Sequence, residues 1–561
     1  MIEILKKREI LISLCIVFAV GTGLRFYDLT QRGIFDYDEA WYLLESKSLV
    51  DTISYGYLKL TGDPTSAEGL KDYLRQRGNT PITSFKPGHT VLVFLGLLLF
   101  GIQDYATFLL SAVLGVATVW LLYRLGSAMF SRRVGLFAAA FLAASAFHVT
   151  YSRSGYAQAK VVFFVALGIC LWYLWRNRPE RWRNVFAGMA VGYAFTCHFN
   201  VFTIPILAAV LEFDFGRRHE WRLRLRRLFD LGAGMAAPLL MFELPARILR
   251  WIGMLPDGQL TYYEQYFYRG TLASTVHLST KGLFAISEKL WITEGPLAIA
   301  ALFVGAFLLL RQAKVFEHRM LIYFLAIPAL PWCLLSSGLP PLFRTFIVLA
   351  VPVSLIAGYG IARSLELPAL RHACLPVCLV ICLYGSWSAA PLLGIRSGYG
   401  PAVEEWIAYT QSNGGTIATF PGSSWPIYYF YLSAAYNDLA PGDRDRIRFY
   451  PGDKDAMPPS GQFDVVDIKR RFRGIWLNKP FLSEYLDKLT TRHTPVVSVA
   501  NPAGILPRAF DEAAGTRYTA TLEAVRSSSD AALIEIYDLR KGPSYAEQVG
   551  KYFQNAGDTK F

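Results

Sequence analysis

The stretch Thr90-Val91-Leu92-Val93-Phe94-Leu95-Gly96-Leu97-Leu98-Leu99-Phe100-Gly101 decides how the chain is threaded. It carries no charge and reads as helix, yet at about 1.5 Å per residue it covers only about 18 Å, short of a hydrocarbon core of roughly 30 Å. It therefore reads as a juxtamembrane helix at the lipid boundary and not as a span. Other nearly charge-free runs, such as Ile10 to Gly23 and Phe346 to Ile361, are candidate spans, because lipid forces backbone polar groups to pair within a helix. Candidate spans fall roughly at 9–26, 105–124, 134–151, 160–175, 184–198, 200–213, 229–248, 294–311, 319–338, 344–362 and 373–391, about eleven in all.

Loop charge orients these spans. The chain carries a net charge of +13, but its Arg and Lys residues gather in the short loops 124–133, 176–183, 214–228, 311–319 and 363–372, the densest group being Arg217, Arg218, Arg222, Arg224, Arg226 and Arg227. With eleven spans every one of these loops is cytoplasmic, as the positive-inside rule requires; counting 90–101 as a span would turn them all outward. The pattern argues for a membrane protein and against a nucleic-acid partner. Hydrophobic residues make up 53% of the chain, which exceeds what a soluble core of this size needs. Lys6, Lys7 and Arg8 precede the first apolar run, which reads as a retained signal anchor with a cytoplasmic amino terminus. Cys374, Cys378 and Cys382 recur every four residues on one helix face and read as packing.

The outer face then receives the loop 27–104, the Tyr-rich loop 249–293, short turns and the tail. Composition changes at Arg396-Ser397-Gly398-Tyr399-Gly400, dividing a transmembrane domain, 1–395, from a soluble mixed α/β domain, 396–561, on the extracytoplasmic side. A helix is expected over Pro401 to Gln411, and strands over Thr416 to Phe420, Val496 to Val499 and Ala532 to Tyr537.

Chemistry concentrates in the first outer loop. Phe35-Asp36-Tyr37-Asp38-Glu39-Ala40-Trp41-Tyr42 places three acids in four residues just beyond the first span. Asp36 or Asp38 can cap a following helix, and an ionised carboxylate held there can also act as a general base toward a hydroxyl or amine. In Ser84-Phe85-Lys86-Pro87-Gly88-His89, Lys86 either snorkels at the boundary or holds an anionic leaving group. Arg153 and Arg344 also map to the outer surface, where each suits a lipid head-group anion or a loop carboxylate. His198 occupies an outer turn. The stretch 261–269, with Tyr263 and Glu264, reads as an aromatic belt or the wall of a substrate groove.

Together these stretches resemble the polyprenyl-phosphate-dependent glycosyltransferases of the membrane-embedded C type (GT-C), with protein O-mannosyltransferases and the lipid A aminoarabinose transferase as the nearest likeness. The resemblance runs over about residues 1–395. It rests on Asp38-Glu39, Lys86-Pro87, Tyr123-Arg124-Leu125-Gly126 leading to Gly135, Tyr151-Ser152-Arg153 and Arg344. It implies a GT-C-like polytopic α-helical fold and sugar transfer from a polyprenyl phosphate to a protein, lipid or glycan acceptor. Asp38 with Glu39 is then catalytic, Lys86, Arg344 and Arg153 hold the donor phosphate, and Asp36, His198, Gln158, Tyr263 and Glu264 are candidate substrate contacts. The family's acid before the lysine is Phe85 here, and its second-loop acid is Gln158, so no divalent metal or other cofactor is expected. Lys160 is a further candidate phosphate contact. The implied setting is the bacterial inner membrane with the tail in the periplasm. A lipid-linked saccharide transporter or flippase is the alternative that also needs many spans, and a membrane-anchored binding module is a third.

Overall fold

A computed structural model describes residues 2–62, 69–70, 73–74, 86–178, 180–215, 221–251, 261, 264, 277–278, 281–336, 343–367, 370, 373–414, 425–438, 463–467, 491, 494–501 and 533–538. The chain opens with α1 (Ile2–Phe26) and, after a short turn, α2 (Tyr37–Thr61). Asp36 starts α2: its backbone is extended and its side chain accepts from Tyr37 N at 2.7 Å, satisfying a donor that the first helical turn leaves open. The decisive apolar stretch forms α3 (Pro87–Phe100), with Pro87 in its first turn and Gly101 ending it at φ 80°. Its 14 residues fall short of a span, as the sequence indicates.

The bundle continues through α4 (Tyr105–Met129), α5 (Arg132–Ala144), α6 (Ala146–Ser152), α7 (Gln158–Trp175), α8 (Arg181–Cys197), α9 (Ile204–Phe215) and α10 (Trp221–Trp251). It closes with α11 (Lys281–Arg311), α12 (Phe316–Leu334), the 3₁₀ helix Phe343–Leu349, α13 (Ala350–Ser364) and α14 (Cys374–Leu393). α5 and α6 meet at 63° around Ser145, and α11 breaks at Gly295, where φ is 76°. A two-residue antiparallel ladder joins β1 (His277–Leu278) to β2 (Leu335–Ser336).

Among the described residues seven helices are long and apolar enough to cross a membrane, or eight if the bent α5–α6 pair is one span. The expected count of about eleven is therefore not reached on length and composition. The expected spans at 184–198, 200–213 and 319–338 coincide with α8, α9 and α12. α8 opens on Arg181 and Arg183, α9 has 12 residues, and α12 opens on Glu317 with His318 and Arg319 behind it. α13 is the bundle's axis: the span Phe346–Ser364 is 89% buried, packed between α5 and α11. Small residues permit that approach, since a Cβ on Gly358 would stand 2.4 Å from Ala138 N.

The basic loops share one end of the bundle, where they are tied by Arg181–Asp230 (2.7 Å), Arg319–Asp214 (2.8 Å), Arg227–Glu212 (3.0 Å) and Arg176–Glu317 (3.2 Å). The other end holds the described residues of the segment 27–104 and of the tail. In the tail, α15 (Tyr399–Asn413) and α16 (Trp425–Asp438) accompany an antiparallel sheet of β3 (Phe463–Asp467), β4 (Val497–Ala500) and β5 (Leu533–Asp538), in the order β3-β5-β4. The expected helix at 401–411 and strands at 496–499 and 532–537 correspond to α15, β4 and β5; the strand expected at 416–420 lies outside the described residues. Trp406, Tyr428 and Ile536 of the tail share one buried apolar cluster with Leu43 of α2, Leu97 of α3 and Phe108 of α4. That shared core crosses the boundary drawn at 395/396, so the described part of the tail is packed onto α2, α3 and α4.

Candidate active site

The segment between α1 and α2 is held in a fixed path by one buried carboxylate. Glu39, fully buried in the first turn of α2, takes both arms of Arg32 at 2.8 and 3.1 Å, the Phe35 N–H at 2.8 Å and the Gly155 N–H at 2.9 Å. The Arg32 guanidinium lies over the rings of Phe35 (3.7 Å) and Phe108 (4.5 Å). With four donors on two oxygens, Glu39 faces protein and not solvent. Of the neighbouring acids Asp38 and Glu39, Glu39 ties the loop together from inside, and Asp38 presents the more exposed carboxylate.

Asp38 meets Arg344 at 2.8 Å, and their side chains retain 28% and 16% exposure. Arg344 heads the 3₁₀ helix Phe343–Leu349, rooted by the buried Phe346 and Ile347, and its guanidinium stands 5.0 Å from the centre of the Tyr156 ring. The Tyr156 hydroxyl donates to Asp36 Oδ2 at 2.5 Å. Tyr42, one helical turn after Asp38, accepts a hydrogen bond from Lys86 Nζ and lies under that ammonium, 4.6 Å from ring centre to nitrogen. Burial, with Asp38 next, pushes the Tyr42 phenol well above its ordinary range, so it stays neutral beside the lysine. Asp36, Asp38, Lys86 and Arg344 thus converge at one end of the bundle, bridged by Tyr42 and Tyr156. Tyr42 is marked in the sequence only by its place in the stretch 35–42, and Tyr156 by nothing beyond following Arg153 by three residues.

Gln158 opens α7, almost fully buried, and its Oε1 has no hydrogen-bond partner among the described residues. Lys160, two residues further along α7, donates to Ser111 Oγ and to the Tyr156 carbonyl at 3.1 Å, and so supports the Tyr156 loop from inside the bundle. His89 of α3 is fully buried with its ring edge-on to Tyr42 at 4.5 Å. His198 ends α8, buried and stacked on Phe199 with ring centres 4.6 Å apart.

Two further candidates are engaged away from this group. The Arg153 guanidinium donates to the carbonyls of Leu24 (3.1 Å), Arg25 (3.3 Å), Tyr27 (2.7 Å) and Leu393 (3.2 Å), at the carboxy-terminal ends of α1 and α14. Burial, with Arg32 nearby, brings it down to about 10, still protonated at neutral pH. Glu264 is engaged elsewhere, by Arg250 of α10 at 2.6 and 2.7 Å and by the Thr261 N–H at 3.0 Å. Those bonds, Arg250 first, lower its carboxyl to about 2. Tyr263 lies outside the described residues.

The arrangement is that of a carboxylate beside two cations at one end of a helix bundle, suited to deprotonating a nucleophile while stabilising an anionic leaving group. Residues 84–242 match the family described as dolichyl-phosphate-mannose-protein mannosyltransferase. Among solved structures, the chain is similar to ArnT from Cupriavidus metallidurans in the apo state, with a TM-score of 0.52 and 15% identity over 82% of this chain and 93% of that one. The same protein bound to undecaprenyl phosphate matches with a TM-score of 0.52 and 14% identity, over the same shares of each chain. The Archaeoglobus fulgidus oligosaccharyltransferase matches with a TM-score of 0.49 and 12% identity, over 87% of this chain and 72% of that one. No curated protein sequence matches the chain. The chain is an integral membrane protein with the fold of the C-type glycosyltransferases, and its residues 84–242 carry the sequence pattern of the dolichyl-phosphate-mannose-protein mannosyltransferases.

Proposed function

We propose that the chain transfers a sugar from a polyprenyl-phosphate donor to a protein, lipid or glycan acceptor on the extracytoplasmic face of a bacterial inner membrane. The observation that carries this reading is the Asp38–Arg344 contact of 2.8 Å, with Lys86 one phenol away on Tyr42. Asp38 takes the acceptor proton. The acceptor oxygen or nitrogen bonds to the anomeric carbon as the bond to the phosphate oxygen breaks, with inversion. The lipid phosphate leaves with the electron pair and meets Lys86 and Arg344. The matched family's lipid-phosphate donor and the undecaprenyl phosphate on ArnT support this choice of leaving group. This reading takes the bent pair as one span and α8, α9 and α12 as three more beyond the seven that qualify, and the positive-inside rule then supports a site and tail facing away from the cytoplasm.

In detergent, Lys86→Ala should bind a polyprenyl phosphate about 10- to 150-fold more weakly than wild type, the range for losing one charge-assisted hydrogen bond of about 1.5–3 kcal/mol. Wild-type affinity in that variant would remove Lys86 from the site. Because the resemblance sets Gln158, a neutral side chain, at the family's second-loop acid position, transfer should proceed at an unchanged rate in EDTA; loss of activity restored by a divalent cation would assign the site a metal.

A further inference from the structure

The tail reaches the loop that carries the acids. The Ser397 N–H donates to the Arg32 carbonyl at 2.7 Å, and the Tyr431 hydroxyl of α16 accepts from the Ile34 N–H at 3.0 Å. The same hydroxyl donates to Asp104 Oδ2 at 2.6 Å, at the head of α4. Between the two pinned residues lies Gly33 at φ 70°, where a Cβ would stand 2.7 Å from Ser397 Cβ. No helix or sheet pairs the Arg32 carbonyl or the Ile34 N–H, so the tail completes the backbone hydrogen bonding just ahead of Asp36. On the loop's other side, the Arg32–Glu39 pair and the Phe35 N–H on Glu39 carry that position into the first turn of α2, where Asp38 stands.

Tyr431 is therefore a junction between loop, bundle and tail. Burial and the adjacent Asp104 carboxyl raise its phenol well above the usual range, so it keeps the proton it donates. Burial likewise raises the Asp104 carboxyl. We propose that Tyr431 is a positioning residue of the active site, fixing the loop 32–38 and through it Asp38, so that the carboxy-terminal segment is a working part of the enzyme. The inference rests on the reading of Asp38 as the base. Tyr431 touches neither Asp38 nor the cations in the structure, so its effect falls on the reaction step and not on donor binding.

The test compares full-length wild type with Tyr431→Phe, which keeps the ring and removes the hydroxyl, and with Arg396→Ala. Arg396 lies on the same tail-to-loop contact, paired at 2.9 Å with Asp28 but largely exposed, and such pairs contribute little. In Tyr431→Phe, kcat should fall about tenfold with donor KM unchanged, and amide exchange over residues 33–38 should quicken about tenfold, the scale of one lost hydrogen bond. Exchange in α15 and the transfer kinetics of Arg396→Ala should match wild type. Unchanged exchange over 33–38 in Tyr431→Phe would overturn the proposal, as would a quickening spread equally through α15, which marks the tyrosine as an anchor of the tail alone. If wild type transfers no sugar, the proposed activity fails, while the exchange comparison still decides whether Tyr431 fixes the loop.

Discussion

Asp38→Asn should lower the rate of sugar transfer by about 10²–10⁴-fold, the range a general base contributes, while donor affinity holds or rises. The second half follows from the Asp38–Arg344 contact. The carboxylate and an incoming phosphate both seek the Arg344 guanidinium, so removing the carboxylate charge removes a competitor. A base that touches only the acceptor proton affects kcat; a residue that merely packed the loop would weaken donor binding as well. Single-turnover rates and donor titrations on the same preparation separate these outcomes. Equal losses in rate and affinity would return Asp38 to a structural role.

Glu39→Ala carries the largest expected effect on stability. The substitution strands the buried Arg32 guanidinium and leaves the Phe35 and Gly155 N–H groups without their acceptor. Removing one partner of a buried ion pair costs about 3–5 kcal/mol, a large share of a typical folding free energy of about 5–15 kcal/mol. The variant should melt well below wild type in detergent and lose activity through the displaced loop. Glu39→Gln, which keeps an acceptor oxygen and the side-chain shape, should fall between the two. A Glu39→Ala protein with wild-type melting would show that the Arg32–Glu39 pair holds nothing together.

Local features were readable in the sequence, whereas long-range partners were not. Asp36 as a helix cap, α3 as a helix too short to span, and the tail elements at 399–413, 497–500 and 533–538 all follow from capping chemistry, length and alternation, which act within a few residues. The acids, Lys86 and Arg344 could be singled out because charges near lipid are scarce. The partners of these groups could not: Tyr156 reaches Asp36 across 120 positions and Tyr431 reaches Ile34 across 397, and no local period encodes such pairings. Arg153 shows the same limit. An arginine at a span end can serve a ligand or a helix terminus, and its bonds to the carbonyls of Leu24, Tyr27 and Leu393 come from segments far away in the sequence. The span count diverges at helices such as α9, with 12 residues, and α8, which carries Arg181 and Arg183 in its first turn, each too short or too charged to qualify on length and composition.

The most direct measurement of the central claim gives purified protein a panel of radiolabelled polyprenyl-phosphate sugars with total membrane acceptors and follows label from lipid to acceptor. Wild type should release the label from at least one donor, and Asp38→Asn should bind that donor and leave it intact. Label that stays on the lipid with every donor, or moves at the wild-type rate in Asp38→Asn, would contradict the account.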